Sequence, residues 1–95
     1  MSKEFERHFR IYFKSNHPAY IVDEEGNKYY FHRVTSSPYS GHKKNWKIDP
    51  NPDKRMNKPM YIIKEEQIDK KGRFSKKKLP YNIELRFIKI NKKSN

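Results

Sequence analysis

Apolar residues in the first segment of the chain, SKEFERHFRIYFKSN, fit two patterns. Four aromatic residues recur at helical spacing: Phe5, Phe9, Tyr12 and Phe13. With Ser2 as an N-cap and acidic residues in the first turn, this spacing predicts an amphipathic N-terminal helix. The helix should end before Pro18, since the residue preceding a proline disfavours the α region. Alternation of positions 9, 11 and 13 leaves open an irregular lead-in to a strand.

The segment AYIVDEEGNKYYFHRVT has the pattern of a β-hairpin. β-Favouring residues run from Tyr20 to Val22 and again through the stretch 28–35. Between them, residues 24–27 form a turn in which Gly26 is available for a positive φ. The sequence therefore predicts two antiparallel strands joined by a tight turn at Gly26.

Period-two alternation divides the second strand of this hairpin into two faces. One face carries Tyr29, Phe31, Arg33 and Thr35, and the other carries Tyr30, His32 and Val34. If Val34 points to the core, His32 points inward with it. Arg33, Thr35 and the following Ser36 are then better functional candidates than His32.

Beyond this hairpin the pattern becomes irregular. Residues 36–59 contain four prolines, which predict a long basic loop, with Trp46 and Ile48 holding its middle to the core. The apolar run at 60–64 predicts a buried strand. Residues 65–80 predict a solvated excursion around Gly72, in which Ile68, Phe74 and Leu79 touch the core. The segment YNIELRFIKINKK fits a strand or a helix, and a frayed basic tail begins at about residue 91.

The composition of the chain adds one further observation, a large positive net charge. The chain has 95 residues, enough for a single domain over 1–95, and a formal net charge of +12, for which a polyanion is the natural partner. We expect lysines, arginines and one tryptophan to contact nucleic acid. These are Lys43, Lys44, Trp46, Lys54, Arg55, Arg73, Lys76, Lys77 and Lys78.

Several functional classes are disfavoured by the residues themselves. The chain has no cysteine, hence no disulfide framework, thiol nucleophile or cysteine zinc site, and a cytoplasmic location is expected. It lacks a phosphate-binding glycine loop, a dinucleotide turn and an HExxH motif. The acidic run 23–25 lies at the hairpin turn, where solvated charges are expected, so no metal site or cofactor is predicted. No apolar stretch has the length of a membrane span or signal peptide.

Residues suited to RNA chemistry gather at the end of the second hairpin strand and in the loop that follows. Cleaving RNA without a metal needs a group to take the 2′-hydroxyl proton, a group to protonate the leaving oxygen, and cations around the phosphate. Histidine can serve as base or acid, and arginine and lysine supply fixed charge. The residues of these types are His32, which ranks below the others, and Arg33, Thr35, Ser36, His42, Lys43 and Lys44.

The motif HPAYIV, followed by a glycine turn, a strand and VTSSP, resembles the opening of the MazF/PemK-like toxins and their ToxN-like relatives. These are small barrels related to SH3 folds that cut RNA. The resemblance covers about residues 17–46 and implies that His17, Thr35 and Ser36 line a cleavage site. His17 replaces the arginine that usually precedes the proline in this family, so Arg33 or Lys43 would have to supply that charge.

The resulting expectation is an α+β protein: a small, strongly bent antiparallel β-barrel of SH3-like type with an N-terminal helix and a long basic loop. Its expected function is RNA binding with metal-independent endoribonuclease activity of the toxin type, and an acidic antitoxin protein or an antitoxin RNA would be a further partner. The alternative is a non-catalytic basic protein that binds nucleic acid, or a phage-type inhibitor. In that case the charges act alone and Thr35 has no catalytic role.

Overall fold

The computed structural model describes residues 5–48, 51–53 and 55–82. Its strands are β1 (His8–Tyr12), β2 (His17–Glu25), β3 (Lys28–Thr35), β4 (Tyr39–Ser40), β5 (Lys43–Lys44), β6 (Trp46–Ile48) and β7 (Met60–Lys70), and one turn of 3₁₀-helix follows over Lys71–Arg73. Five strands form an antiparallel sheet in the order β1-β2-β3-β7-β6, and β4 and β5 form a separate ribbon. None of the described residues belongs to a helix long and apolar enough to cross a membrane.

The predicted N-terminal helix is wrong, and with it the α+β class. β1 is a strand that pairs with β2 from His8 opposite Ile21 to Tyr12 opposite His17. Phe9 and Tyr12 are three residues apart, so they point to opposite faces of this strand. Each is buried there, in a different core cluster. The spacing of these aromatic residues, which predicted a helix, arises because apolar residues on both faces of the strand are buried in core clusters.

The predicted hairpin is confirmed. β2 and β3 are antiparallel, with Glu25 opposite Lys28 at the last pair before the turn. Gly26 has φ 60°, in the left-handed region that glycine enters at little cost. Local sequence was sufficient here because the turn residue and the flanking β-favouring residues specify the same hairpin.

Two core clusters lie on the two faces of the sheet. The first cluster is Phe9, Tyr20, Val22, Val34, Ile48, Met60 and Ile62. The second cluster is Tyr12, Ala19, Ile21, Tyr29, Phe31 and Phe74. Because successive strand residues alternate between faces, β2 and β3 contribute to both clusters. The face of the sheet that carries the second cluster is called the concave face below.

The sheet is open, so the predicted closed barrel is also wrong, but the sheet is strongly curled. β1 and β7 are separated by β2 and β3, which on a flat sheet would place them roughly 14 Å apart. Nevertheless the hydroxyl of Tyr12 in β1 lies 2.6 Å from Oδ2 of Asp69 in β7. The sheet therefore bends around the second cluster. Register shifts near Val22 and between His32 and Val34 supply local sites of bending.

Residues 73–79 lie along the outer edge of β1. Ser75 N donates to Ile11 O at 2.9 Å, and Leu79 N donates to Phe9 O at 2.8 Å. This segment satisfies backbone groups that an exposed edge strand would leave unpaired. The prediction of a solvated excursion over 65–80 is thus wrong for its first half, which continues β7, whereas the predicted core contacts of Phe74 and Leu79 are confirmed. The predicted core contact of Ile68 is wrong, since this side chain is exposed.

The predicted long loop contains three short strands, β4, β5 and β6. Ile48 is buried and Trp46 packs against the first cluster, which confirms that this pair holds the segment to the core. The predicted strand at 60–64 is confirmed and extends to Lys70. Residues 83–95, with the open choice between strand and helix and the frayed tail, lie outside the described residues.

Candidate nucleic-acid interface

Three of the predicted catalytic residues share the concave face at one end of the sheet. Ala19 of β2 pairs with Arg33 of β3. His17 lies two residues before Ala19, and Thr35 lies two residues after Arg33, so all three side chains belong to the same face by strand alternation. His17 and Arg33 are exposed and Thr35 is half-buried. The predicted division of β3 into two faces is confirmed, since Tyr29 and Phe31 are in the second cluster and Val34 is in the first.

A buried tyrosine is paired with a half-buried carboxylate within the curl of this face. Tyr12 donates a hydrogen bond to Asp69 Oδ2 at 2.6 Å, and Lys14 Nζ lies 3.9 Å from the same oxygen. Burial, followed by the bond to Asp69, raises the pKa of Tyr12 to about 12. That bond in turn holds the pKa of Asp69 below its ordinary value, assisted by the Lys70 amide and the charges of Lys14 and Arg73.

Two arginines from distant parts of the chain act on the same tyrosine hydroxyl. The positive charges of Arg73 and Arg33 both oppose the rise in the pKa of Tyr12. Both side chains are exposed. Within the described residues, neither guanidinium has a hydrogen bond or an ion pair to protein. This pair can therefore offer its planar N–H donors to an anion such as a phosphate.

Sequence reasoning predicted Arg33 and Arg73 separately, without the tyrosine that lies near both. It missed Tyr12 and Asp69 because the first segment was assigned to a helix and residues 65–70 to a solvated excursion. The signal that could have found Tyr12 was the strand-like alternation in the first segment. Nothing in the local sequence indicates that Asp69 reaches Tyr12, since this contact depends on the curl of the sheet.

The residues after β3 are held by local hydrogen bonds. Thr35 Oγ1 accepts a bond from the Ser37 amide at 3.2 Å, as strand-end threonines commonly do. Its hydroxyl proton has no acceptor among the described residues. Ser36 is exposed. The predicted Thr-Ser pair thus lies at the end of β3 with the threonine oriented by the backbone that follows it.

The ribbon of β4 and β5 is fixed beside the end of β3 by Asn45. This side chain is 4% exposed. Its Nδ2 donates to Ser37 O at 3.1 Å and to Ser40 Oγ at 3.0 Å. The predicted residues Lys43 and Lys44 form β5, and His42 precedes them in the turn. All three are exposed, so the ribbon presents a histidine and two cations to solvent.

Other predicted contact residues are spread over the surface. Trp46 packs on the first cluster with Lys64 Nζ 5.5 Å from its ring centroid. Arg55 makes two bonds of 2.9 Å to the Asp53 carboxylate, so its charge is already offset. Lys54 lies outside the described residues. The exposed residues Lys76, Lys77 and Lys78 follow the 3₁₀ turn, and Lys78 Nζ lies 3.0 Å from Glu6 Oε1.

His32 points inward, as predicted. It is 2% exposed, its Nδ1 donates to Ile63 O at 2.9 Å, and its Nε2 has no hydrogen-bond partner among the described residues. Burial lowers the pKa of His32 and keeps the imidazole neutral. It lies on the face opposite Arg33 and Thr35, so it does not join the interface.

In the part of the chain that the structure describes, no group of three or more histidine, aspartate or glutamate side chains is placed to hold a metal ion. Comparison of the chain with protein-family models, with curated proteins and with solved structures gives no match. The resemblance to MazF/PemK-like toxins therefore remains a prediction from the motifs.

Proposed function

We propose that this protein binds RNA and cleaves it by attack of a ribose 2′-hydroxyl on the adjacent phosphate, without a metal ion. The observation that carries the proposal is the shared concave face of His17, Arg33 and Thr35 at one end of the sheet, where the charges of Arg33 and Arg73 both act on the pKa of Tyr12. Two guanidinium groups without a hydrogen bond or ion pair among the described residues are suited to hold a phosphate and to stabilise the charge that develops on it.

Each residue has a proposed role. The 2′-oxygen bonds to phosphorus as the bond to the 5′-oxygen breaks, which leaves a cyclic phosphate and a 5′-hydroxyl. Arg33 and Arg73 bind the non-bridging oxygens, and the Thr35 hydroxyl donates to one of them. His17 or His42 takes the 2′-proton and returns a proton to the leaving oxygen. Ser36 supports this site beside Thr35, and Lys43 and Lys44 bind the flanking strand.

The net charge of +12 supports the partner class, because a polyanion gains affinity from each phosphate that the surface neutralises. A protein with this activity would be toxic to the cell that makes it, so an acidic antitoxin protein or an antitoxin RNA is part of the proposal. The cytoplasm, where RNA is found, is the proposed compartment.

Non-catalytic RNA binding is the second candidate. It is favoured by the separation of the two exposed histidines: His17 begins β2, whereas His42 lies in the turn of the β4–β5 ribbon. The described structure contains no hydrogen bond from either imidazole to Arg33 or Thr35. In this case the arginines and lysines bind the strand and no bond is cleaved.

The test compares two variants that each remove one cation from β3. Arg33→Ala removes the proposed phosphate ligand, and Lys28→Ala removes an exposed charge at the other end of the same strand. Purified proteins are incubated with RNA in EDTA, and cleavage and binding are measured in parallel. We expect Arg33→Ala to lower the cleavage rate by about 100-fold or more and Lys28→Ala to change it little, since loss of one transition-state donor has an effect of that size.

Thr35→Ala should also lower the cleavage rate while it leaves RNA affinity within a few-fold. Wild-type protein that binds RNA but leaves every tested RNA intact in EDTA would support the second candidate. Wild-type protein that neither binds nor cleaves RNA at moderate salt would contradict both. Equal cleavage by Arg33→Ala and Lys28→Ala would show that this end of the concave face is not the reaction site.

A further inference from the structure

A second basic site lies beside the second cluster, between β1 and the 3₁₀ turn. It is a groove of about 500 Å³, within the range of small-molecule sites. Its principal lining side chains are Arg10, Phe13, Tyr29, Lys71, Phe74 and Lys76. None of the residues that line it is acidic.

Three cations surround the groove, and the structure holds them differently. Arg10 Nη1 donates to Ser75 O at 2.9 Å and to Lys76 O at 2.7 Å, so its guanidinium is fixed at the rim. Lys71 Nζ lies 2.6 Å from Glu24 Oε1, which offsets part of its charge. The Lys76 ammonium has no partner in the described ranges and is exposed. Lys76 is therefore the cation most available to an incoming anion.

Aromatic rings supply the rest of the groove. Tyr29 is buried, with Arg10 5.3 Å and Lys71 5.2 Å from its ring centroid, and Phe74 is 2% exposed. These two rings are already buried in the protein, so they leave little surface for a ligand. Phe13 differs from them because 56% of it is exposed, although its backbone is anchored by a 2.9 Å bond from its amide to Arg73 O.

An exposed phenylalanine on an anchored backbone, beside cations, has the features of a platform for an unpaired base. Stacking on the ring is open only to a base outside a duplex, and the cations complement the phosphate attached to it. A purely apolar partner would leave the exposed Lys76 ammonium, which has no partner among the described residues, without a counter-charge.

We propose that this groove binds one unpaired nucleotide of an RNA strand, with the base on Phe13 and the phosphate at Lys76 and Lys71. The inference depends on the proposed RNA binding and adds that the protein selects single-stranded over duplex RNA. The 3₁₀ turn links the groove to the proposed reaction site, because Arg73 follows Lys71 by two residues. An RNA strand bound at Lys71 would therefore contact a residue only two positions before Arg73 in the protein sequence.

The experiment measures binding of fluorescent single-stranded and duplex RNA by anisotropy across a range of salt concentrations. Phe13→Ala should weaken single-strand binding about tenfold, in the range for loss of one stacked base, and leave duplex binding and the salt slope nearly unchanged. Lys76→Ala should lower the salt slope for single strands by about 0.7, the value for one phosphate contact. Lys28→Ala is the matched control, since it removes an exposed charge that does not line the groove.

Thermal unfolding of each variant checks that the protein remains folded, which we expect because Phe13, Lys76 and Lys28 are exposed. Single-strand binding that does not change in Phe13→Ala, or a loss that is equal for duplex RNA, would overturn the groove proposal. Equal effects of Lys76→Ala and Lys28→Ala would also overturn it and indicate diffuse electrostatic binding.

The two proposals fail in different ways. Cleavage that needs Arg33, together with binding that does not need Phe13, would overturn the groove and keep the reaction site. Binding that needs Phe13, without cleavage by wild-type protein, would keep the groove and overturn the endoribonuclease proposal. Competition by polyglutamate as effective as that by single-stranded RNA would show that the groove binds acidic chains in general and would overturn its assignment to a nucleotide.

Discussion

The hydrogen bond from Tyr12 to Asp69 provides a sharp test of the curled sheet, because it joins β1 to β7 across the concave face. Tyr12→Phe removes the hydroxyl and keeps the ring that packs on Phe31 and Phe74. The pKa of Tyr12 rises from 10.0 to about 12, first because of burial and then because of the bond to Asp69, so the direction of this shift agrees with a hydroxyl that donates to a carboxylate. A hydrogen bond to a charged group contributes about 1.5 to 3 kcal/mol. We therefore expect Tyr12→Phe to lower the unfolding free energy by about 2 kcal/mol.

The loss of stability caused by Tyr12→Phe should become smaller at both acidic and alkaline pH. The pKa of Asp69 is lowered in the folded protein, so its contribution is present above its unfolded pKa and is lost as the pH falls through the folded value. The pKa of Tyr12 is raised, so its contribution is present below pH 10.0 and is lost as the pH rises toward about 12. The difference in unfolding free energy between wild type and Tyr12→Phe should therefore be largest near neutral pH and decrease toward both extremes.

Urea denaturation at a series of pH values measures this difference, and near-ultraviolet absorbance follows ionisation of the tyrosines. Tyr29→Phe is the matched control, since Tyr29 is also buried in the second cluster but donates no hydrogen bond within the described structure. We expect Tyr29→Phe to change stability by less than about 0.5 kcal/mol. Equal losses in the two variants at neutral pH, or a Tyr12→Phe loss that persists unchanged below pH 3.8, would contradict the proposed contact.

Two further predictions concern the turn and the buried histidine. Gly26→Ala should lower the unfolding free energy by about 1 kcal/mol, because a residue with a Cβ is strained at φ +60° even though the surrounding space is open. Gly72→Ala is the control, since Gly72 has equal space and no positive φ. Thermal unfolding should show no measurable change in stability for Gly72→Ala. His32→Leu should reduce the loss of stability between pH 7 and 5: the lowered pKa of His32 makes its contribution present above 6.5 and lost as the pH falls through the folded value. Urea midpoints that shift equally with pH in both proteins would contradict this assignment.

Part of the candidate site followed from local sequence. Alternation in β3 separated Arg33 and Thr35 from His32, and burial of His32 confirms that division. Charge alone singled out Arg73 without indicating a role. The effect of both Arg33 and Arg73 on the pKa of Tyr12 could not be predicted, because it depends on the curl that brings β1 and β7 together and on the position of the 3₁₀ turn that ends at Arg73.

The sequence by itself determined two features of this protein, the β2–β3 hairpin and the strongly basic surface. The hairpin depends on neighbouring residues, since Gly26 permits the turn and the flanking residues favour strands. The state of the first segment was decided only by tertiary structure. The spacing of its aromatic residues fits a helix with one apolar face and a strand buried on both faces equally well. The strand forms because β2 pairs with one edge, residues 73–79 bond to the other edge, and a core cluster covers each face. Burial of both faces and pairing of both edges are long-range contacts, and they outweigh local spacing because they remove the most apolar surface and backbone polar groups from water.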